Sequence, residues 1–206
     1  MTNISDKAFI HADADVDQNA IIATDAKIWD LARIRSGSSI GSGTIVGRNA
    51  YVDSDVIIGK NCKIQNNALI YSPAVIADGV FIGPGAILTN DLNPRAINED
   101  QTLKSATDWK IQRVELQTGA SIGAGAICVA PVIIGSWAMV GAGAVVVKDV
   151  PNYALVVGNP ATQIGWVGKY GSKLEKVSES KNIFVCPVSK VNYVEEAGKL
   201  REFDEK

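Results

Sequence analysis

"IGSGTIVGRNAYVDSDVIIGKNCKIQNNALIYSPAVIADGVFIGPGAIL", Ile40 to Leu88, keeps time in sixes. Ile40, Val46, Val52, Ile58, Ile64, Ile70, Ile76, Ile82 and Leu88 fall six apart, and the beat runs back through Ile34, Ile28, Ile22 and Val16 to Ile10. A small side chain sits two residues before most of them, as at Ala14, Ala20, Ala26, Ala32, Ser38, Thr44, Ala50, Cys62, Ala68, Ala74 and Ala86. Glycine often follows, as in "IGSG", "IGKN" and "IGPG". A helix needs a period near 3.6 and an alternating strand a period of two. Neither gives six. One bulky and one small residue facing inward every six positions suit short strands wound into a solenoid, with Gly, Asn and Asp at its tight corners. An antiparallel sandwich would instead space its strands by about 8–12 residues with polar alternation.

The beat resumes in a shifted phase at Leu116, Ile122, Cys128, Ile134, Val140 and Val146. Three sixes make a coil of 18, so residues 18 apart are expected to stack, roughly 4.8 Å from one another. Gly123–Ala124–Gly125–Ala126 then lies against Gly141–Ala142–Gly143–Ala144. That recurrence marks "GAGA" as repeat, since it also lacks the full dinucleotide-binding spacing. Leu116 to Val147 carries no charge, but its glycines and Pro131 make a poor membrane helix. After Val146, "VVKDVPNYALVVGNPATQIGW" is expected to close the solenoid. The division is a β-helix domain over 1–165 and a small, loosely packed appendage over 166–206, with a disordered end at "EEAGKLREFDEK".

Composition narrows the function. With 20 Lys and Arg against 22 Asp and Glu, the net charge is −2, without the basic excess of a nucleic-acid binder. Three scattered cysteines, Cys62, Cys128 and Cys186, suit reduced thiols better than disulfides, and "MTNISDKAF" lacks the features of a secretory leader; both point to the cytoplasm. The one histidine, His11, lies in the first repeat. No metal site is expected from so few ligands, nor a Ser–His–Asp or Cys–His arrangement around the break after Leu88.

That break, "LTNDLNPRAINED", is the candidate site. The stacking rule puts Asn90 over Ser72 and Thr89 over Tyr71, with Gln65, Asn66 and Asn67 at the preceding corner. The excursion Asp91 to Glu115 is long for a compact domain unless it has a function. It is expected to fold over a neighbouring subunit and wall off a groove. Asn90 and Asp91 as mere corner residues remain an alternative.

"GVFIGPGAILTNDLNPRA", "LKSATDW", "TGASIGAGAI" and "GSWAMVGAGAVVVKDVPNYALVVGNPA" together give the closer reading. From about Ile10 to Trp166 the chain resembles the hexapeptide-repeat acyltransferases, all-β proteins folded as a left-handed parallel β-helix. Within them it resembles the N-acetyltransferases of nucleotide-linked 3-amino sugars, nearest those of UDP-2-acetamido-3-amino-2,3-dideoxyglucuronate. The resemblance implies acetyl-CoA as donor, a homotrimer with active sites between subunits, and surface polysaccharide biosynthesis. It makes Gly123, Ala124, Ala142, Gly143, Lys148 and Pro160 the CoA-side candidates. It departs at Ser72, where relatives carry an acid, and at Thr162 and Gln163 after "GNPA", where they carry a basic residue.

The same resemblance implies catalysis without a histidine. A sugar amine is partly neutral near neutral pH and attacks the thioester directly, with the CoA thiolate finally taking the proton. Asn90 orients the amine or stabilises the tetrahedral centre, and Asp91 holds the loop or the amine. Arg95 pairs with a carboxylate or pyrophosphate oxygen, while Asn66, Asn67, Tyr71 and Ser72 complete the acceptor side. Three other readings stay open: a dTDP-3-amino-hexose N-acetyltransferase, a sugar O-acetyltransferase, and a non-enzymatic solenoid. The second calls for a base such as histidine, and the third leaves the long loop without a purpose.

Overall fold

A computed structural model describes residues 4–178 and 182–203. All its regular elements are strands. Most are two residues long and pair in parallel with strands 18 positions away, as Ile64 does with both Val46 and Ile82. They stack into three faces. The first runs from Phe9–Ile10 to Ala154–Val157, the second from Asp15–Val16 to Val145–Val146, and the third from Ile21–Ile22 to Val132–Ile134. This is the stacked-coil architecture of the left-handed parallel β-helix.

The period of six follows from this geometry. Each strand turns one residue out and one in, and the inward column is sealed: Ile28, Val46, Ile64, Ile82, Ile122 and Val140 are at most 1% exposed on the first face. The small residue two places earlier, such as Ala26, Cys62 or Ala86, is fully buried at the corner where a larger side chain has no room. Buried Thr44 spends its hydroxyl on the Gly59 carbonyl and accepts the Cys62 amide, so a polar atom enters the core with partners. The third corner position takes a left-handed backbone, with Asn49 at φ 53° and Asn67 at φ 60°. Asparagine and glycine recur there because they tolerate that conformation at least cost.

The interruption leaves the stacking intact. Leu116 pairs with Ile76 and Cys128 with Leu88, each 40 positions apart rather than 18, so the excursion adds 22 residues between two continuous coils. The strand is rejoined at Val114, which puts Glu115 inside the third face rather than in the loop. Within the loop, Ile97 and Leu103 form an antiparallel bridge.

Two expectations are corrected. The solenoid does not close at Val146. Val150 bridges Ile134 and Val156 pairs with Val140, separations of 16, so one further coil forms after losing two residues. Loss of the aliphatic beat hid this coil. Thr162–Trp166 then pairs antiparallel with Ala154–Val157 and caps the first face. The described residues beyond are not loose, nor are Glu195 to Phe203 without order. Glu175–Ser178, Ile183–Val185, Asn192–Glu196 and Lys199–Phe203 form a four-stranded antiparallel sheet. Its last hairpin turns at Ala197 and Gly198, both with positive φ (51° and 76°), the backbone of a tight two-residue turn. Tyr193 and Cys186 are buried in it. The Tyr193 ring meets Tyr153 edge-on at 5.7 Å, and Lys169, 5.9 Å over the Trp137 ring, pairs with Glu202 of the sheet at 2.9 Å, tying this sheet to the last coils. The final residues of "EEAGKLREFDEK", 204–206, lie outside the described residues.

Candidate functional site

The corner between the second and third faces stacks Arg35, Asp53, Tyr71–Ser72 and Thr89–Asn90 in successive coils, then Ala130 and Lys148 above the loop. Asn90 is half-buried and donates from Nδ2 to the Ser72 carbonyl at 2.8 Å, which confirms the stacking expected of this pair. Among the described residues nothing donates to its Oδ1. The neck of the loop is closed beside it by the Gln112 amide, which reaches the Asn90 carbonyl at 2.8 Å. Thr89 Oγ1 accepts the Ala130 amide at 3.0 Å from the coil above.

Below Ser72 lies a carboxylate that the period-six reading passed over. Asp53 Oδ2 accepts the Ser72 amide at 3.2 Å, while Oδ1 accepts from Ser54, the Tyr51 hydroxyl and Arg35 Nη1 at 2.8, 3.0 and 3.0 Å. Burial opposes its charge, but the Ser54 and Ser72 amides, the Tyr51 hydroxyl and Arg35 outweigh this and hold the carboxyl below the usual range. A carboxylate thus stands one coil below Ser72, bonded to the Ser72 peptide. The 18-residue rule carries the signal, since it places Asp53 under Tyr71. Tyr71 itself stacks on Tyr51, ring centres 5.6 Å apart.

Other candidates lie elsewhere. Asp91 Oδ1 accepts the Asn93 amide and so braces the first turn of the loop. Exposed Arg95 donates to the carbonyl of its neighbour Pro94. Among the described residues neither side chain hydrogen-bonds to Asn90. Asn66 and Asn67 sit on another edge, between the first and second faces, where Asn66 accepts the Arg48 amide and Asn67 the Asn49 side chain. Their polarity is used in a ladder along that corner. His11 accepts the Asp13 amide in the first coil, far from the break.

Gly123, Ala124, Ala142 and Gly143 share that first–second edge, and Gly123 packs so closely on Ala142 that a Cβ there would meet its backbone. Beside them is a shallow, mainly apolar groove of about 280 Å3, lined by Phe81, Ser121, Met139 and Ala142 among others. Phe81 and Met139 were not foreseen; they are outward residues of the first face, brought together because 81, 121 and 139 stack. Pro160 follows Gly158, whose carbonyl accepts the Val145 amide, and so stands at the upper end of the same edge. Lys148 does not join them: it is exposed on the second–third edge, two coils above Asn90. A groove of about 530 Å3 opens on the third-face side of that edge, with Pro73, Gln112, Arg113, Pro131 and Asp149 among its walls. Among the described residues no group of three or more His, Cys, Asp or Glu is placed to hold a metal. Among the described residues no helix is long and apolar enough to cross a membrane.

Residues 1–102 match the family model described as the GMPPB C-terminal domain. Over 78 residues the chain is 49% identical to dTDP-3-amino-3,6-dideoxy-alpha-D-galactopyranose 3-N-acetyltransferase of Aneurinibacillus thermoaerophilus. Each of these matches is a likeness of less than half of the chain. The second covers 38% of this chain and 39% of the relative, so the match spans well under half of either protein. Two solved Bacillus cereus structures share the fold. A putative acetyltransferase superposes with a TM-score of 0.51 at 22% identity, covering 79% of this chain and 85% of that one. AntD, an N-acyltransferase solved with dTDP and coenzyme A, does so with 0.51 at 18% identity, covering 80% and 83%.

Proposed function

We propose that the chain is an acetyl-CoA-dependent N-acetyltransferase of a nucleotide-linked 3-amino sugar, with UDP-2-acetamido-3-amino-2,3-dideoxyglucuronate as the first acceptor to test. The observation that carries this reading is the half-buried Asn90 amide at the root of the loop. A backbone carbonyl accepts only from a donor, so the bond to Ser72 fixes which end of the amide is Nδ2. Oδ1 is then the atom left to accept a hydrogen from an incoming amine. The amine nitrogen bonds to the thioester carbonyl carbon, the carbon–sulfur bond breaks, and the departing thiolate takes the proton that the nitrogen sheds. Asn90 holds the amine lone pair on line, a positioning role.

The CoA side is the first–second edge, where Gly123, Ala124, Ala142 and Gly143 present backbone without bulky side chains, and Phe81 and Met139 supply apolar contact. This edge and Asn90 are separated by a full face, six residues at about 3.3 Å each. A second copy that sets its first–second edge against this chain's second–third edge brings them together, and such unlike contacts form a ring of three where each step rotates by a third of a turn. Two features support a homotrimer of this kind. Leu69, Ile87, Ile127 and Val145 stack as an outward aliphatic column on the second face, between the two edges. The loop also exposes Leu92, Ile97, Leu103 and Ile111. Activity in the cytoplasm on precursors of a surface polysaccharide belongs to the same reading.

The relative of Aneurinibacillus thermoaerophilus favours a second reading, a dTDP-3-amino-hexose as acceptor. Thiol release from acetyl-CoA, followed with UDP- and dTDP-linked 3-amino sugars and their 3-hydroxy counterparts, separates the two. Release with an amine is expected. Release with hydroxyl acceptors alone overturns N-acetylation. Asn90→Ala is expected to lower turnover by about a hundredfold or more, and His11→Ala to leave it unchanged.

A further inference from the structure

Asn90 is only as well placed as the peptide that holds it. The Ser72 carbonyl takes its Nδ2, and the Ser72 amide is in turn held by Asp53 Oδ2. Asp53 is itself gripped: its side chain is 13% exposed, and its other oxygen receives Arg35, the Tyr51 hydroxyl and the Ser54 amide. Arg35 is also steadied, because Arg35 Nη1 meets the Tyr51 hydroxyl at 3.2 Å and the buried Ser38 hydroxyl donates to the Arg35 carbonyl at 2.6 Å. The four residues Arg35, Asp53, Ser72 and Asn90 thus form one chain of bonds across four successive coils.

We infer that Asp53, braced by Arg35 and Tyr51, is the positioning residue that aims Asn90 Oδ1 at the acceptor amine, acting through the Ser72 peptide. This inference rests on the N-acetyltransferase reading and names the part of the site that reading leaves unassigned. Asp53 touches neither acceptor nor donor. Its carboxylate lies two coils below Asn90, out of reach of the amine that Asn90 receives, and both its oxygens are engaged. It does the work expected of an acid at Ser72, through a backbone bond in place of direct contact. The Ser72–Pro73 corner suits this arrangement: proline donates no amide, so the Ser72 amide is the donor this corner offers to Asp53.

The test is a double-mutant cycle on the whole chain, with Asp53→Asn and Asn90→Ala alone and combined. Asp53→Asn keeps the shape and one carboxamide oxygen while losing the charge that holds Arg35. It is expected to lower kcat with the amino-sugar acceptor by ten- to a hundredfold, with the KM for acetyl-CoA within twofold of wild type. Added to Asn90→Ala, it is expected to cost less than a further twofold, because the residue it aims is gone. An equal loss in both backgrounds, or full activity in Asp53→Asn, overturns the inference. Arg35→Lys, which keeps a cation on Asp53, is expected to recover at least half of the loss seen in Arg35→Gln; equal losses also count against it. A readout independent of turnover covers the case in which no amino sugar is acetylated and the underlying reading falls. In nitrogen-15 spectra the Asn90 side-chain NH2 pair, assigned by its disappearance in Asn90→Ala, is expected to shift in Asp53→Asn. The same pair unmoved would show that Asp53 does not set Asn90.

Discussion

At the scale of single residues, the charge on Asp53 has a consequence beyond catalysis. Its carboxyl is held below the usual range in the folded chain, so the folded state favours the ionised form. The stability this lends is complete above the unfolded value near about 4 and is lost as pH falls through the lower folded value. The unfolding free energy of wild type, read by denaturant titration at a series of pH values, is expected to fall as pH drops below about 4, and that part of the fall to be missing in Asp53→Asn. Asp53 faces Arg35 on the same edge and Tyr51 on the second face, and the part owed to Arg35 weakens with salt. Cys128 behaves oppositely. Burial alone pushes its thiol up to about 12 and leaves no path for a reagent. Native alkylation is expected to spare Cys128, counted by mass spectrometry, and to reach it only after denaturant.

At the scale of the coil, stacking distance sets what each position tolerates. Ile82 is fully buried between the coils above and below, and Ile82→Ala is expected to cost about 2–5 kcal/mol through lost contact and the cavity left behind. Urea titration reads this directly. Gly123 has no such cavity to lose; its constraint is close approach to Ala142. Gly123→Val is expected to lower the melting temperature and to weaken CoA binding together, since one displacement moves both the coil and the groove wall. The last hairpin rests on the left-handed turn at Ala197–Gly198. Gly198→Val is expected to destabilise it by about 1–2 kcal/mol, with amide exchange accelerated over Asn192–Phe203 and unchanged in the early coils.

At the scale of the whole molecule, the solenoid and its loop are separable. The coils on either side of the excursion pair as though it were absent. Replacing residues 92–112 by a short glycine linker is therefore expected to preserve the circular dichroism spectrum and abolish acetyl transfer. The exposed loop residues Leu92, Ile97, Leu103 and Ile111 are expected to add to assembly as well. The aliphatic column on the second face makes a sharper test of the proposed homotrimer: Ile127→Lys is expected to yield a folded monomer by light scattering, inactive because the proposal builds each site from two copies.

The period of six, the small residue two places before each aliphatic and the glycines at the corners determined the solenoid without help from outside the sequence. A repeat protein contacts only its neighbours, so spacing along the chain becomes spacing in space. The same arithmetic placed Asn90 on Ser72 and the two "GAGA" stretches on each other. It did not reveal Asp53, because a carboxylate at a corner reads as ordinary turn chemistry until its partners are known. It also did not distinguish the edges: Asn66 and Asn67 turned out to share an edge with Gly123, and Lys148 to share one with Asn90. Arg95 and Asp91 bond within their own loop, a local choice that a long excursion settles by its own turns. The extra coil after Val146 and the terminal sheet were hidden for a related reason. There the beat stops, and pairing is decided by contacts between segments such as Tyr153 and Tyr193, which only the folded chain brings together.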